Sequence, residues 1–253
     1  MKALILAAGY ATRLRPLTES LPKMLLPLAE RPMLDYLLDK IREVGEIEEI
    51  HLVTNSRFAP IFRDWAPEDV TVHDDGSGSN DDRLGAIGDI AFAIERGGLA
   101  GADLFVVAGD NLIGYSLRGL VDFWRAKGGS ALALHEVSDS ELLKSYGVVE
   151  LDEDDRVVGF QEKPAEPRSN LAATAAYIYR AEHVELLARY LEEGNPPDAP
   201  GNFAAWLHAR ALVHGYRTSG EWHDIGDLDQ LLEADNLLRE RAGLPTRSEY
   251  SLT

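Results

Sequence analysis

The chain has 253 residues, 45% of them hydrophobic and 27% charged, and its formal net charge is −18. That acidity excludes a general binder of nucleic acid or of an anionic membrane surface, while the hydrophobic share is that of a folded domain rather than a disordered acidic polymer. The chain has no cysteine, which excludes disulfide frameworks, thiolate metal sites and cysteine nucleophiles together and makes a reducing cytoplasm the expected location.

Lys2 precedes the apolar run 3–8 and Gly9. The run is too short for the core of a signal peptide and reads as a first strand buried on both faces. No stretch approaches the roughly 20 apolar residues of a transmembrane helix. After Pro32, residues Leu34, Leu37, Leu38, Ile41 and Val44 recur at helical spacing and predict a helix that Gly45 ends. Residues 50–54 predict a strand, 58–65 a short helix and 70–73 a third strand. The run D-D-G-S-G-S-N-D-D at 74–82 reads as a polar loop, followed by a helix over 86–94 closed by Gly97 and Gly98. L-F-V-V-A at 104–108 predicts a buried strand. Further strands are expected near 131–137, 148–151, 157–161 and 175–179, and helices over 184–192, 203–213 and 228–241. The acidic run at 150–155 reads as a hairpin turn and the proline-rich run at 195–200 as a surface loop. With no repeat or linker, residues 1–253 are expected to form a single domain.

The alternation of strands and helices predicts an α/β fold with a mostly parallel sheet covered by helices. Ligands of such sheets lie beyond the carboxyl ends of the strands, which directs attention to Gly9–Arg13 and to Gly109, Asp110 and Asn111. Residues 1–25 hold Lys2, Arg13, Arg15 and Lys23 against Glu19 alone, a local reversal of sign that favours an anion site. The loop A-A-G-Y-A-T-R-L-R-P-L-T has small residues that let a phosphate approach the backbone. Its spacing is neither that of a Walker A loop nor that of a dinucleotide-binding loop.

L-A-A-G-Y-A-T-R-L-R-P-L-T followed by P-K-M-L-L-P resembles the opening signature of the sugar-1-phosphate nucleotidyltransferases, L-A-A-G-x-G-T-R-L-x-P-L-T and then P-K-x-x-L-P. Further blocks are similar to that family in order: D-R-L-G-A-I-G-D-I at 82–90, V-V-A-G-D-N at 106–111, Y-G-V-V-E at 146–150, E-K-P at 162–164, A-T-A-A-Y-I-Y at 173–179 and W-H-D-I-G-D at 222–227. The resemblance implies a Rossmann-like three-layer α/β/α fold with a mixed, mostly parallel central sheet. It also implies a reaction in which a sugar 1-phosphate attacks the α-phosphorus of a nucleoside triphosphate.

By that resemblance Ala8, Gly9, Thr12, Arg13 and Lys23 would hold the triphosphate, with Arg13 and Lys23 favouring the departing pyrophosphate, and Gly85 would lie against the base. Asp110 and Asp224 would be the protein ligands of Mg²⁺. Lys163 would grip the phosphate of the sugar phosphate, and Gly147, Glu162, Thr174 and Tyr177, with Asp110, would line the sugar side. The residues expected to carry the reaction are thus Arg13, Lys23, Asp110, Lys163 and Asp224.

Plain structural roles compete with each of these. Asp110 could cap a turn, Glu162 and Lys163 could be an exposed charge pair, and Asp224 could cap the last helix, although Asp227 is better placed for that. His223 beside Asp224 and His73 beside Asp74 point to opposite faces of a strand and do not form metal sites. Trp206 and Trp222 read as core or pocket wall. Two of the family's usual glycines are replaced, by Ala11 and Ala175, changes tolerated where φ is negative. Ala86 stands where the family has threonine. The chain ends soon after the last block, so the left-handed β-helix acyltransferase domain of some relatives is not expected.

The leading reading is an Mg²⁺-dependent enzyme that forms a nucleoside-diphosphate sugar from dTTP or UTP and glucose 1-phosphate. A cytidylyltransferase for a phospho-alcohol such as phosphocholine or inositol phosphate, and a non-catalytic nucleotide-sugar-binding regulatory subunit, are the alternatives. The expected partners are a nucleoside triphosphate and a sugar 1-phosphate, with neither nucleic acid nor membrane, and a homo-oligomer is compatible with the sequence.

Overall fold

The computed structural model describes residues 1–252. The first strand, β1 (Lys2–Leu6), is followed by three short 3-10 turns at 12–14, 17–19 and 23–25, and then by a small ladder of β2 (Pro27–Leu28) and β3 (Arg31–Pro32). Next come α1 (Met33–Arg42), β4 (Glu49–Thr54), α2 (Ala59–Trp65), β5 (Val70–Asp74), α3 (Ala86–Gly97) and β6 (Leu104–Ala108). The middle of the chain holds β7 (Asn111–Ile113), α4 (Leu117–Lys127), β8 (Ser130–Glu136), α5 (Ser140–Leu143), β9 (Gly147–Leu151), β10 (Val157–Glu162) and β11 (Leu171–Tyr179). The last part runs through α6 (Ala181–Val184), α7 (Leu186–Glu192), α8 (Pro200–Leu207), β12 (Val213–Arg217), β13 (Trp222–Asp224) and α9 (Leu228–Arg241).

β1 lies in parallel between β4 and β6, and β4 in turn pairs with β5 in parallel. A strand at such a position is covered on both faces, which is why its sequence is an unbroken apolar run rather than an alternating one. β11 joins the far side of β6 antiparallel and then carries β8 on its other edge, with β12 parallel to β8. The hairpin β9–β10 extends the sheet through a single register pair, Ala172 with Val148. The nine strands are therefore a mixed sheet with a parallel half, β5-β4-β1-β6.

Helices cover both faces. α1, α2 and α4 pack their apolar stripes with Ile5, Phe105 and Val107 on one side, and α3, α7 and α8 pack with Leu4, Val106 and Tyr177 on the other. α9 lies apart, closing Leu231 and Ala234 over Leu14, Leu26 and Leu28 of the segment between β1 and β3. The Asp227 side chain caps α9 by accepting from Gln230 N at 2.9 Å, as its position before the apolar stripe predicts. Among the described residues, no helix is long and apolar enough to cross a membrane.

Several predicted boundaries are corrected. The helix expected over 203–213 ends at Leu207, and Val213 instead opens β12, a strand that Gly215 disguises. A Cβ at Gly215 would lie 2.4 Å from a terminal methyl of Leu134, so the Leu134 and Leu151 side chains pack closely over the bare backbone there. The helix expected over 184–192 is broken, with Val184 ending α6 and Leu186 beginning α7. α4 went unpredicted, although Leu117, Leu120, Val121 and Trp124 form a buried stripe and Ser116 Oγ caps the helix from Gly119 N. The hairpin turn at 152–155 joins β9 and β10 as expected.

Candidate active site

A cavity of about 530 Å³ opens at the carboxyl ends of β1 and β6. Ala8 and Gly9 form its wall directly after β1, and Asp110 and Asn111 directly after β6, as the alternation of the sequence predicts. The loop after β1 is anchored from behind by buried side chains at the end of β4. Thr54 Oγ1 donates to Ala7 O at 3.0 Å and Asn55 Nδ2 to Ala8 O at 2.9 Å. With those carbonyls satisfied, the exposed backbone at Gly9 has nothing within 4 Å of the position a Cβ would take, and a ligand can approach it closely.

Thr12 and Arg13 lie on the exposed 3-10 turn beyond this loop and are not part of the cavity wall. Arg13 makes neither hydrogen bond nor ion pair. Lys23 is likewise not on the wall but is buried behind it. Its Nζ donates to Asp110 Oδ2 at 2.6 Å and to the Ile225 carbonyl at 2.7 Å, so its bonds are to the carboxylate side of the site.

Asp110 and Asp224 are brought together by a ribbon separate from the main sheet, in which β7 and β13 run antiparallel and Asn111 faces Asp224. Asn111 fixes this ribbon twice, donating from Nδ2 to Thr174 O at 2.8 Å and accepting from Trp222 Nε1 at 2.9 Å. Burial pushes the Asp224 carboxyl up to about 6, the negative charge of Asp110 adds to that, and Lys23 and Lys163 act in the opposite direction. Two carboxylates on one wall, the charge of one raising the proton affinity of the other, are a donor set for a hard divalent cation. Mg²⁺ takes one or two carboxylates and completes its shell with water and phosphate oxygens, so these residues fit it without a third protein ligand.

The opposite wall comes from the β9–β10 hairpin and β11. Gly147, Glu162, Lys163 and Tyr177, four of the residues expected on the sugar side, all line the cavity. Burial raises the Glu162 carboxyl above its ordinary value, with Lys163 acting against that. Gly147 and Gly201 make room for Glu162: a Cβ would lie 3.1 Å from its Oε2 at the first and 2.4 Å at the second. Thr174 departs from expectation. It is fully buried on the far side of β11, where its Oγ1 meets Tyr115 OH at 2.7 Å and Ala133 O at 3.3 Å. Strand periodicity turns Ala173, Ala175 and Tyr177 to the cavity and Thr174 away from it.

Gly85 lies at the third side, where α3 begins. The 195–199 loop is more than a surface connection, because its carbonyls cap this helix: Ala86 N donates to Asp198 O at 3.2 Å and Ile87 N to Pro197 O at 2.8 Å. Gly85 has φ of +79° and a Cβ there would sit 2.7 Å from Pro197 O, so both conformation and space require glycine. The buried Asp89, which lines this end of the cavity, and Tyr146 lie within quoted blocks without an expected role, and Ser145 and Gly201 of the wall lie outside every block. Trp222 is pocket wall and Trp206 core, as expected. His73 pairs with His51 at 2.9 Å, and His51 in turn meets the Glu49 carboxylate at 3.0 Å.

The condition set for the two replaced glycines is not met. Ala11 has φ of 44° and Ala175 φ of 53°, so both keep the left-handed backbone that glycine would adopt freely. The alanines carry the strain of that backbone.

Comparison with known proteins agrees with this architecture. A profile of the nucleotidyl transferase family matches residues 2–241. The chain is 31% identical over 247 residues to a UTP–glucose-1-phosphate uridylyltransferase of Synechocystis sp., covering 92% of this chain and 62% of that protein. It is 32% identical over 248 residues to a glucose-1-phosphate thymidylyltransferase of Streptomyces griseus, covering 95% of this chain and 66% of the relative. The chain thus spans less than two thirds of the length of each of these two proteins. In fold it is similar to a UDP-glucose pyrophosphorylase solved with UDP-glucose, with a TM-score of 0.80 at 20% identity, covering 95% of this chain and 98% of the other. On the profile match, the sequence blocks and the shared fold together, the chain belongs to the nucleotidyl transferase family, among the sugar-1-phosphate nucleotidyltransferases.

Proposed function

We propose that the chain is an Mg²⁺-dependent nucleotidyltransferase that joins a nucleoside monophosphate unit to a sugar 1-phosphate, with dTTP or UTP and glucose 1-phosphate as the favoured substrates. The observation that carries this reading is the meeting in one cavity of the open backbone at Ala8 and Gly9, the carboxylates of Asp110 and Asp224, and Glu162 with Lys163. The names of the two relatives, uridylyl- and thymidylyltransferases of glucose 1-phosphate, support the choice of substrates.

In the reaction, a phosphate oxygen of the sugar 1-phosphate forms a bond to the α-phosphorus of the triphosphate. The bond from that phosphorus to the β-bridging oxygen breaks, and pyrophosphate leaves with the electron pair. The substrate supplies the nucleophile, so the protein has to hold two anions in line and neutralise the charge that develops. Ala8 and Gly9 receive the triphosphate along the backbone. Thr12 and the unpartnered Arg13 stand at the pyrophosphate end. Lys163 holds the phosphate of the sugar phosphate, while Glu162 accepts from sugar hydroxyls beside Gly147 and Tyr177. Asp110 and Asp224 hold Mg²⁺, which when bound supplies positive charge at the reacting phosphate. Lys23 positions Asp110.

Pyrophosphate release across dTTP, UTP, CTP, GTP and ATP, each with glucose 1-phosphate and other sugar 1-phosphates plus Mg²⁺, tests the proposal. Turnover with dTTP or UTP is expected, and Asp110→Asn is expected to lower it by at least ~100-fold. A folded protein silent across the whole panel would overturn it.

A further inference from the structure

A pair of buried carboxyls stands at the Gly85 end of the cavity, away from Asp110 and Asp224. Asp89, in the first turn of α3, is 6% exposed and lines the cavity; Asp75, just beyond β5, is 7% exposed. Asp75 is fixed in place because its Oδ1 accepts from both N and Oγ of Ser77 at 2.7 Å. Its Oδ2 and Asp89 Oδ1 are fully buried and have no donor. The side chain of Asp89 does not cap α3, whose first N–H groups are taken by the carbonyls of Asp198 and Pro197. Its neighbours on the buried face of the helix, Ile87, Ile90 and Ala93, are all apolar. Two carboxyls are costly in such a place unless they hold a proton between them and meet a donor from a ligand.

We propose that Asp89, backed by Asp75, reads the nucleobase of the triphosphate and selects one with a ring imide, uracil or thymine. The inference rests on the cavity being the nucleotidyltransferase site proposed above and adds the residue that chooses the base. Burial, the charge of Asp75 and a hydrogen bond to it push the Asp89 carboxyl up to about 8, so at neutral pH Asp89 holds its proton. With that proton directed at Asp75, Asp89 turns an acceptor to the cavity. Asn80 and Arg83, which share this end of the wall, provide donors. Arg83 and Asp198, the other charged groups here, pair with each other at 3.3 Å. Donors around one acceptor complement the imide edge of uracil or thymine, which presents an N–H between two carbonyls. Cytosine and adenine lack that ring N–H, and guanine presents two adjacent donors.

The test is calorimetric binding of UTP, dTTP, CTP, GTP, ATP and inorganic tripolyphosphate to the wild-type chain and to Asp89→Leu and Asp89→Asn. The wild type is expected to prefer UTP or dTTP by on the order of 10-fold or more. Asp89→Leu should erase that preference while leaving tripolyphosphate, which has no base, at its wild-type affinity. Asp89→Asn, which keeps an acceptor and directs its amide at Asp75, should restore part of it and covers the case in which the leucine variant fails to fold. Triphosphates that bind with no preference for uracil or thymine, or a loss in the leucine variant shared equally by tripolyphosphate, would overturn the role of Asp89 and leave the proposed activity standing. Failure of every triphosphate to bind the wild type would overturn both.

Discussion

Lys23 and Asp110, 87 positions apart in the chain, meet at 2.6 Å, with Lys23 Nζ also held by the Ile225 carbonyl. One buried ammonium therefore ties the loop after β1 to the carboxylate ribbon at both of its strands. Removing one partner of a buried pair leaves the other charged and unsolvated. Lys23→Met is expected to lower stability by about 1–3 kcal/mol, toward the smaller figure because Asp110 keeps some exposure. Urea unfolding measures this, and an unchanged midpoint would show that the clamp does not hold the fold. Turnover should fall more steeply than stability, since Asp110 loses the bond that orients it.

The buried acid at Asp89 makes stability depend on pH with a definite sign. The folded protein keeps the Asp89 proton up to about pH 8, whereas the unfolded chain releases it near the ordinary value of 3.8. Between these values the folded state binds more protons, so its stability falls as pH rises across that window. Asp89→Asn removes the titrating group and is expected to flatten the decline. Denaturation curves at pH 5 and pH 8 on both proteins check it; parallel curves would mean that Asp89 gives up its proton much earlier.

Gly85→Ala combines two penalties, a left-handed backbone and a contact of 2.7 Å with Pro197 O. The 195–199 loop has to move away from α3, and the hydrogen bonds of Ala86 N and Ile87 N are lost with it. A loss of about 2–4 kcal/mol is expected, with a raised KM for the triphosphate and less effect on KM for the sugar phosphate. Thermal unfolding and steady-state kinetics read the two effects separately.

Ala175 shows the opposite balance. Its φ of 53° costs alanine about 1–2 kcal/mol relative to a relaxed backbone, whereas glycine pays only in the entropy of the unfolded chain. Ala175→Gly is expected to stabilise the protein by roughly 0.5 kcal/mol. A drop in the unfolding midpoint would show that the alanine methyl makes packing contacts that outweigh its strain.

Thr174 is the residue where the family resemblance and the observed packing part. Its hydroxyl serves Tyr115 OH and Ala133 O behind the sheet. Thr174→Val should therefore cost about 1–3 kcal/mol by orphaning the buried tyrosine hydroxyl, while KM for the sugar phosphate stays within about twofold. A selective rise in that KM would return Thr174 to the binding site.

Much of the site was legible because open α/β sheets place ligands after their strands. L-F-V-V-A followed by Gly109 and Asp110 announces both a buried strand and the carboxylate beyond it. What was not legible lies in pairings between distant segments. Nothing local to Trp222–Asp224 says that it forms a ribbon with Asn111–Ile113, and only that pairing sets Asp224 opposite Asp110. Asp75 and Asp89 belong to no common spacing pattern; the turn from β5 into α3 brings them together. In sequence, β12 looks like the end of a helix because Val213 continues the apolar spacing of α8, and periodicity cannot tell a short buried strand from a helix end. α4, by contrast, carries both local signals of a helix, an apolar stripe and a serine cap.

The caps and clamps of the cavity also set an order of assembly. β1, β4, β5 and β6 are complete by residue 108, yet α3 has no acceptors for its first N–H groups until Pro197 and Asp198 exist, and Lys23 lacks its second acceptor until Ile225 does. As the chain emerges from the ribosome, half of the sheet can form while the carboxylate ribbon and the cap of α3 wait for the last third of the sequence. A nascent chain halted near residue 190 would carry the loop after β1, already anchored by Thr54 and Asn55, while Lys23 would lack its Ile225 acceptor and Asp110 its neighbour Asp224.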